Sequence, residues 1–184
     1  MPRVFIAIQT PAALQQTLAD IQAAFANSSP WRWVQPSQLH ITLAFLGEVP
    51  ETALPGLHQP IGQAIRGHPP FTLTARALGC FPTPARPRVL WLGLHDPDHI
   101  LSDLAQAVTA AVAEQGIPME KRSFHPHITL ARSRQPVRSR TFRRLLAAYE
   151  TQSFLDVPVQ SIHLFQSQLK PTGAVYTILK SYAL

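Results

Sequence analysis

The chain has 184 residues, of which 46% are hydrophobic and 14% are charged, so it belongs to neither the disordered nor the collagen-like class. The length suits one domain or two tightly joined lobes. A single cysteine, Cys80, excludes an internal disulfide and a cysteine-based zinc site, and it favours a reducing cytoplasm. The apolar run at 4–8 is too short for a signal peptide or a membrane span. We therefore expect a cytoplasmic protein with no membrane partner.

The net charge of +6 has its origin in one segment. Between 121 and 144 the sequence contains basic residues and no acidic residue, whereas acidic residues outnumber basic ones elsewhere. A clustered basic segment is typical of proteins that bind a polyanion, although a solvated arginine-rich surface would have the same composition. The basic residues are Lys121, Arg122, Arg132, Arg134, Arg138, Arg140, Arg143 and Arg144.

Strands and helices alternate unevenly along the chain, which predicts an α+β fold. Thr10 is the predicted N-cap of the first helix, and Gly47 is predicted to close the strand that contains His40. A turn is expected at 170–173, and the sequence NSSP at 27–30 is expected to end the first helix. Strands are predicted at 4–9, 39–46, 71–79, 88–94, 127–131, 161–169 and 175–184, and helices at 12–26, 51–67, 96–116 and 141–150.

The tetrapeptide HITL occurs twice, at 40–43 and at 127–130, and the two copies are separated by about half of the chain. Each copy follows a helix and a loop. This repetition predicts an internal duplication with two similar lobes inside a single domain of residues 1–184. If the lobes face each other, the histidines and threonines of both copies meet in a cleft.

Residues two apart in a regular strand share a face of the sheet. His40, Thr42 and Ala44 are therefore expected on one face, with Phe45 on the opposite, core face. In the second copy the same alternation places His127, Thr129 and Ala131 on one face of the strand. Arg132 is then expected on the opposite face.

Two imidazoles and two hydroxyls in one cleft suit the cleavage of a phosphodiester. One histidine can act as base and the other as acid near neutral pH, while the hydroxyls donate to phosphate oxygens. A single His-x-Thr is usually structural, but two identical copies favour function. The HxH formed by His125 and His127 leaves a metal mechanism open, and His163 is expected at the surface or in a loop.

These motifs resemble those of the two-histidine phosphoesterase superfamily. The segments RWVQPSQLHITLAFLGE, FPTPARPRVLWLGL, FHPHITLAR and LFQSQLKPTGAVYTIL are similar to those of the bacterial and archaeal RNA 2′,3′-cyclic phosphodiesterases, historically named 2′-5′ RNA ligases. The resemblance implies a bilobal α+β fold around a central cleft, no metal or other cofactor, and hydrolysis of a terminal 2′,3′-cyclic phosphate to a 2′-phosphate. It also implies that His40 donates a proton, that His127 accepts one, and that Thr42 and Thr129 bind the phosphate.

Four further residues are candidates for substrate binding: Arg132, His125, Trp33 and Phe81. The expected partners are RNA ends or nucleotide cyclic phosphates, and the chain is expected to be a monomer. A 2′-5′ oligonucleotide phosphodiesterase or a reversible 2′-5′ RNA ligase remains an alternative, because the same acid–base pair serves both directions. A non-catalytic nucleotide- or RNA-binding module is the alternative from another class.

Overall fold

The computed structural model describes residues 1–26, 31–119, 123–170 and 173–184. The strands are β1 (Arg3–Gln9), β2 (Arg32–Trp33), β3 (His40–Glu48), β4 (Phe71–Phe81), β5 (Val89–His95), β6 (His127–Arg132), β7 (Ser153–Val159), β8 (Ser161–Lys170) and β9 (Gly173–Ala183). The α-helices are α1 (Leu14–Phe25), α2 (Leu54–Ala64), α3 (Ile100–Ala113) and α4 (Arg140–Ala148). In this part of the chain no helix is both long enough and apolar enough to cross a membrane.

The described strands form one antiparallel sheet in the order β7-β4-β5-β6-β3-β1-β8-β9, and the short β2 pairs with β6. The two strands that carry HITL are neighbours at the middle of this order, and each is flanked on its outer side by the same number of strands. The sheet therefore has two similar halves that meet between β3 and β6. This arrangement confirms the predicted α+β class and the two pseudo-symmetric lobes.

The main core lies on one face of the sheet, where Ile41 and Ile128 are completely buried. The apolar side of α1, which includes Leu14 and Leu18, packs into this core as expected for an amphipathic helix. A small second cluster, with Phe5 at its centre, lies on the opposite face of the sheet, as the cross-strand pairing of β1 with β3 shows. The described helices thus contribute to the main core, whereas the Phe5 cluster lies on the other face of the sheet.

The predicted N-cap at Thr10 was wrong. The Thr10 hydroxyl instead donates a hydrogen bond to the Leu39 carbonyl at 3.1 Å, and α1 begins at Leu14 without a side-chain cap. Thr10 therefore ties the end of β1 to the start of the first motif. Gly47 does not close β3, which continues to Glu48, and its φ of +73° places it in the left-handed region.

Strand β7 was missed by the sequence analysis because its sequence, SFLDVPV, contains a proline and lacks clear alternation. It lies at the edge of the sheet and pairs with β4 alone, where the missing N–H of Pro158 is tolerated. The predicted helix end at 27–30 and part of the predicted turn, residues 171–172, lie outside the described residues.

Gly79 allows the Trp91 ring to lie against the backbone of β4. A Cβ atom at position 79 would be 2.0 Å from two atoms of that ring, which is far inside van der Waals contact. The Trp91 ring in turn lies 4.8 Å from the His125 ring, measured between centroids. The absence of a side chain at Gly79 therefore positions an aromatic ring beside the second motif.

We predict that Gly79→Ala displaces Trp91 and lowers the free energy of unfolding by about 1–3 kcal/mol, as overpacking does elsewhere. Urea unfolding measures this change. Gly62→Ala is the matched control, because its nearest side-chain atom would be 3.8 Å away and a helical alanine is stabilising. Equal stability of Gly79→Ala and the parent would contradict the placement of the Trp91 ring.

Candidate active site

The two motif strands pair at one position in the described structure, where Ile41 lies opposite Ile128. In an antiparallel pair the neighbours of these residues also come opposite each other. His40 therefore faces Thr129 across the junction, and Thr42 faces His127. Because both isoleucines point into the core, these four side chains share the other face of the sheet. The junction thus brings together the two histidines and two threonines that the sequence analysis identified as the candidate catalytic residues.

Each motif strand contains a β-bulge immediately after its threonine. Along β3, Thr42 and Ala44 pair with successive residues of β1, so Leu43 is the extra residue. Along β6, Leu130 is extra in the same way. A bulge turns two consecutive side chains to the same side. Leu43 and Ala44 are accordingly both buried, and the second copy repeats this pattern.

The bulges overturn the predicted parity beyond the threonines. Ala131, which was expected to face the cleft, is a core residue with 0% exposure, whereas Ala44 is 4% exposed and still lines the cleft. Phe45, expected in the core, is 41% exposed and lines the cleft. Arg132, expected on the far face, also lines the cleft. The extra residue in each strand is the physical reason, since it shifts the alternation by one.

The two histidines are held by equivalent hydrogen bonds. His40 donates from Nδ1 to the Gln38 carbonyl at 2.7 Å, and His127 donates from Nδ1 to the His125 carbonyl at 2.6 Å. A carbonyl oxygen can only accept, so Nδ1 carries a proton in both rings. In the neutral tautomer Nε2 is therefore the free acceptor on each histidine.

The pKa of each histidine is lowered from the ordinary value of 6.5, chiefly by burial. The hydrogen bond from Nδ1 opposes this shift in both cases. The positive charge of Arg132 lowers both pKa values further, so its guanidinium lies near both rings. His125 adds to the lowering of the His127 pKa.

Aromatic rings surround each histidine. The His40 ring lies 5.0 Å from Phe5 and 5.3 Å from Tyr176. The His127 ring lies 5.1 Å from Phe81, in an edge-on arrangement. Tyr176 was missed by the sequence analysis because β9 carries no motif around it. Burial raises the pKa of the Tyr176 hydroxyl, and the charge of Arg132 partly offsets that rise, so Tyr176 also lies near Arg132.

A cleft of about 980 Å³ opens beside the junction. It is lined by Thr42, His127, Arg132, His125 and Phe81, and on one side by α3. His40 and Thr129 do not line the cleft. They face each other on the other side of the Ile41–Ile128 pair. The cleft is therefore much larger than a phosphate group, and two of the four motif side chains, Thr42 and His127, line it.

The substrate-binding candidates have different positions. Trp33 pairs with Ala131 and packs against the main core, and it does not line the cleft. The exposed His125 orients His127 through its carbonyl.

Within the described residues, no group of three or more His, Cys, Asp or Glu side chains could hold a metal ion. His163, expected at the surface, is 8% exposed on β8 and hydrogen-bonded to Ser161 and Ser181.

We predict that both histidines titrate with midpoints below 6.5, because burial and Arg132 disfavour their charged forms. NMR titration of the ring signals measures each midpoint. Arg132→Gln removes a positive charge and should raise both midpoints. His125→Ala is the matched comparison, and it should raise the His127 midpoint alone. Unchanged midpoints in Arg132→Gln would show that the guanidinium does not lie near the two rings.

A two-lobed sheet with a His-x-Thr motif on each central strand defines a phosphoesterase of the two-histidine class. The chain belongs to the LigT-like phosphoesterase family, whose sequence model matches residues 8–91 and, a second time, residues 94–176. Each matched segment contains one HITL motif, in agreement with the predicted duplication. The family resemblance seen in the sequence is thus confirmed.

Proteins named RNA 2′,3′-cyclic phosphodiesterase are among the relatives. One from Thermus thermophilus is 35% identical over 99% of this chain and 90% of its own length, and one from Aquifex aeolicus is 31% identical over 99% and 97%. A crystal structure of Escherichia coli LigT complexed with 3′-AMP superposes with a TM-score of 0.80 at 32% identity, covering 100% of this chain and 99% of that one.

Proposed function

We propose that the chain hydrolyses the terminal 2′,3′-cyclic phosphate of RNA to a 2′-phosphate by acid–base catalysis with two histidines. The observation that carries this proposal is the Ile41–Ile128 junction, which gathers His40, Thr42 and their counterparts on one face. Both imidazoles leave Nε2 free for proton transfer. The names of the relatives and the nucleotide bound by E. coli LigT support the same substrate class.

In the proposed reaction a water molecule attacks phosphorus on the side opposite the 3′ oxygen, and the bond from phosphorus to that oxygen breaks. The neutral histidine takes the proton of the water at Nε2, and the charged histidine gives its Nε2 proton to the 3′ oxygen. By family resemblance His127 is the base and His40 is the acid. Thr42, Thr129 and Arg132 donate to the non-bridging oxygens, where negative charge increases in the transition state.

The lowered histidine pKa values are important for this mechanism. At neutral pH both free imidazoles favour the neutral form, which suits the base and disfavours the acid. An anionic phosphate close to both rings favours their charged forms, so substrate binding promotes the uptake of a proton from solvent by the histidine that acts as acid. The pH profile of kcat/KM reports the lower pKa values of the free enzyme, and that of kcat reports the raised pKa values of the complex. The maximum of kcat/KM should therefore lie at a lower pH than the maximum of kcat.

The size of the cleft favours a nucleotide over a small phosphate ester. Ligand sites of about 300–1,000 Å³ hold molecules the size of a nucleotide or larger, and this cleft reaches about 980 Å³. Phe81 and Phe45 line it and offer ring faces for a base. RNA ends and nucleotide cyclic phosphates are therefore the proposed substrates. Trp33 lies beside the second motif strand and packs against the main core.

Two alternatives are distinguishable by assay. The reverse reaction, or cleavage of a 2′-5′ linkage, would use the same histidines, and a 2′-5′ linked dinucleotide tests for it. A binding module would hold nucleotides without turnover, yet it would not need two imidazoles with free Nε2 atoms. We further propose that residues 1–184 act as one unit and as a monomer, because a single chain supplies both motifs, and that the buried lone Cys80 reflects a cytoplasmic location.

The two histidines are the first targets for substitution. His40→Ala or His127→Ala should lower kcat on adenosine 2′,3′-cyclic phosphate by about 10²–10⁴, the usual contribution of a general acid or base. The double variant should lose less than the product of the two effects, because the pair acts as a unit. Initial rates with the purified variants measure these losses.

His163→Asn is the matched control for the loss of an imidazole outside the site, and it should retain turnover. Exhaustive chelation should also leave the wild-type rate unchanged, since no step requires a cation. Near-wild-type turnover in either motif variant would refute the assignment of the site. A rate abolished by chelation and restored by zinc would replace it with a metal mechanism at His125 and His127.

A further inference from the structure

Strand β2 places a second arginine directly beside Arg132. In the pairing of β2 with β6, Arg32 lies opposite Arg132 and Trp33 lies opposite Ala131. Directly paired residues project from the same face of a sheet. Trp33 and Ala131 face the core, so Arg32 and Arg132 both project from the face that carries the histidines. The sequence separates these two arginines by a hundred residues.

This pairing is unfavourable without a partner. Like charges directly opposite each other in an antiparallel pair are destabilising. Arg32 and Arg132 are both exposed, and within the described residues neither forms an ion pair with a carboxylate. An anion bound by both guanidinium groups would convert this repulsion into two charge-assisted hydrogen bonds. The juxtaposition therefore points to a ligand with more than one negative charge.

Further exposed arginines lie near Arg32 and Arg132. The N–H of Ser133 donates to the Arg88 carbonyl at 2.8 Å, which holds the start of β5 beside the end of β6. Arg88 and Arg134 are both exposed there. The arginines of α4 are placed differently, because Phe142 packs that helix against the main core on the other face of the sheet. The basic segment seen in the sequence is thus divided between two faces.

We propose that Arg32 binds the phosphodiester next to the terminal cyclic phosphate, so that the RNA strand leaves the site across β2. This inference rests on the proposed function, in which Arg132 binds the terminal phosphate. Neighbouring strands lie about 4.8 Å apart, and the flexible arginine side chains extend this reach toward consecutive phosphates of one strand. A mononucleotide has no phosphate for Arg32, so the subsite recognises a polynucleotide end.

The test compares two substrates that differ by one phosphodiester. For an RNA dinucleotide ending in a 2′,3′-cyclic phosphate, Arg32→Gln should raise KM roughly tenfold without changing kcat, as loss of a charge-assisted hydrogen bond would. The dependence of log KM on log salt should become shallower by about 0.7, the contribution of one phosphate in a single strand. Adenosine 2′,3′-cyclic phosphate should keep its KM and kcat, and Arg32→Lys should recover part of the dinucleotide affinity.

Arg66→Gln is the matched control, because it removes one exposed positive charge beyond the end of α2 and should change neither substrate. An unchanged dinucleotide KM in Arg32→Gln would overturn the subsite. An equal rise for both substrates would show that Arg32 supports β2 or the terminal phosphate instead, and an equal rise in Arg66→Gln would indicate diffuse attraction. Wild-type turnover of the mononucleotide tests the proposed function separately.

Discussion

The contact between Ile41 and Ile128 is the constraint on which the candidate site depends. It is the described backbone pairing that joins the two halves of the sheet. Both side chains are fully buried, so the strands are held by the core on one face and left open on the other. Alternation then directs the histidine and threonine on each side of the contact to the open face. The geometry of the candidate site is therefore a consequence of how the core packs.

The two bulges turn unlike residues toward the cleft at equivalent positions of the two motif strands. Both copies read HITLA, and in both the leucine is the extra residue. The next residue, Phe45 in one copy and Arg132 in the other, is turned toward the cleft. A duplicated frame thus places an aromatic ring and a cation at equivalent positions. In the proposed function the shared histidines transfer protons, whereas Phe45 offers a ring face to the nucleobase and Arg132 binds the phosphate.

Much of this arrangement could be predicted from the sequence. The repeated HITL identified the two central strands and the side chains that meet there, and hydrophobic periodicity gave the helices that cover the core. The bulges could not be predicted, because a strand with one extra residue has the same alternation as a regular strand up to that point. Arg132 and Phe45 were therefore placed on the wrong face. Arg32 and Tyr176 were missed because pairing with β6 and the position of the last hairpin depend on long-range contacts.

The terminal hairpin illustrates why long-range pairing matters. Strands β8 and β9 follow the second motif in the sequence but pair beside β1, in the half of the sheet that contains the first motif. Tyr176 of β9 thereby contacts His40, more than a hundred residues earlier in the chain. The environment of the two histidines thus differs, with Phe5 and Tyr176 on one side and Phe81 and Trp91 on the other. The proposed division into one acid and one base requires the two imidazoles to differ in this way.

The most direct test of the central claim is the identity of the product formed from an RNA oligonucleotide that ends in a 2′,3′-cyclic phosphate. Phosphorus NMR distinguishes a 2′-phosphate from a 3′-phosphate after complete reaction with the wild-type chain. If water attacks opposite the 3′ oxygen between His40 and His127, the product is a 2′-phosphate, and it forms equally in the presence of a chelator. A 3′-phosphate, or a substrate that remains cyclic, would contradict the account.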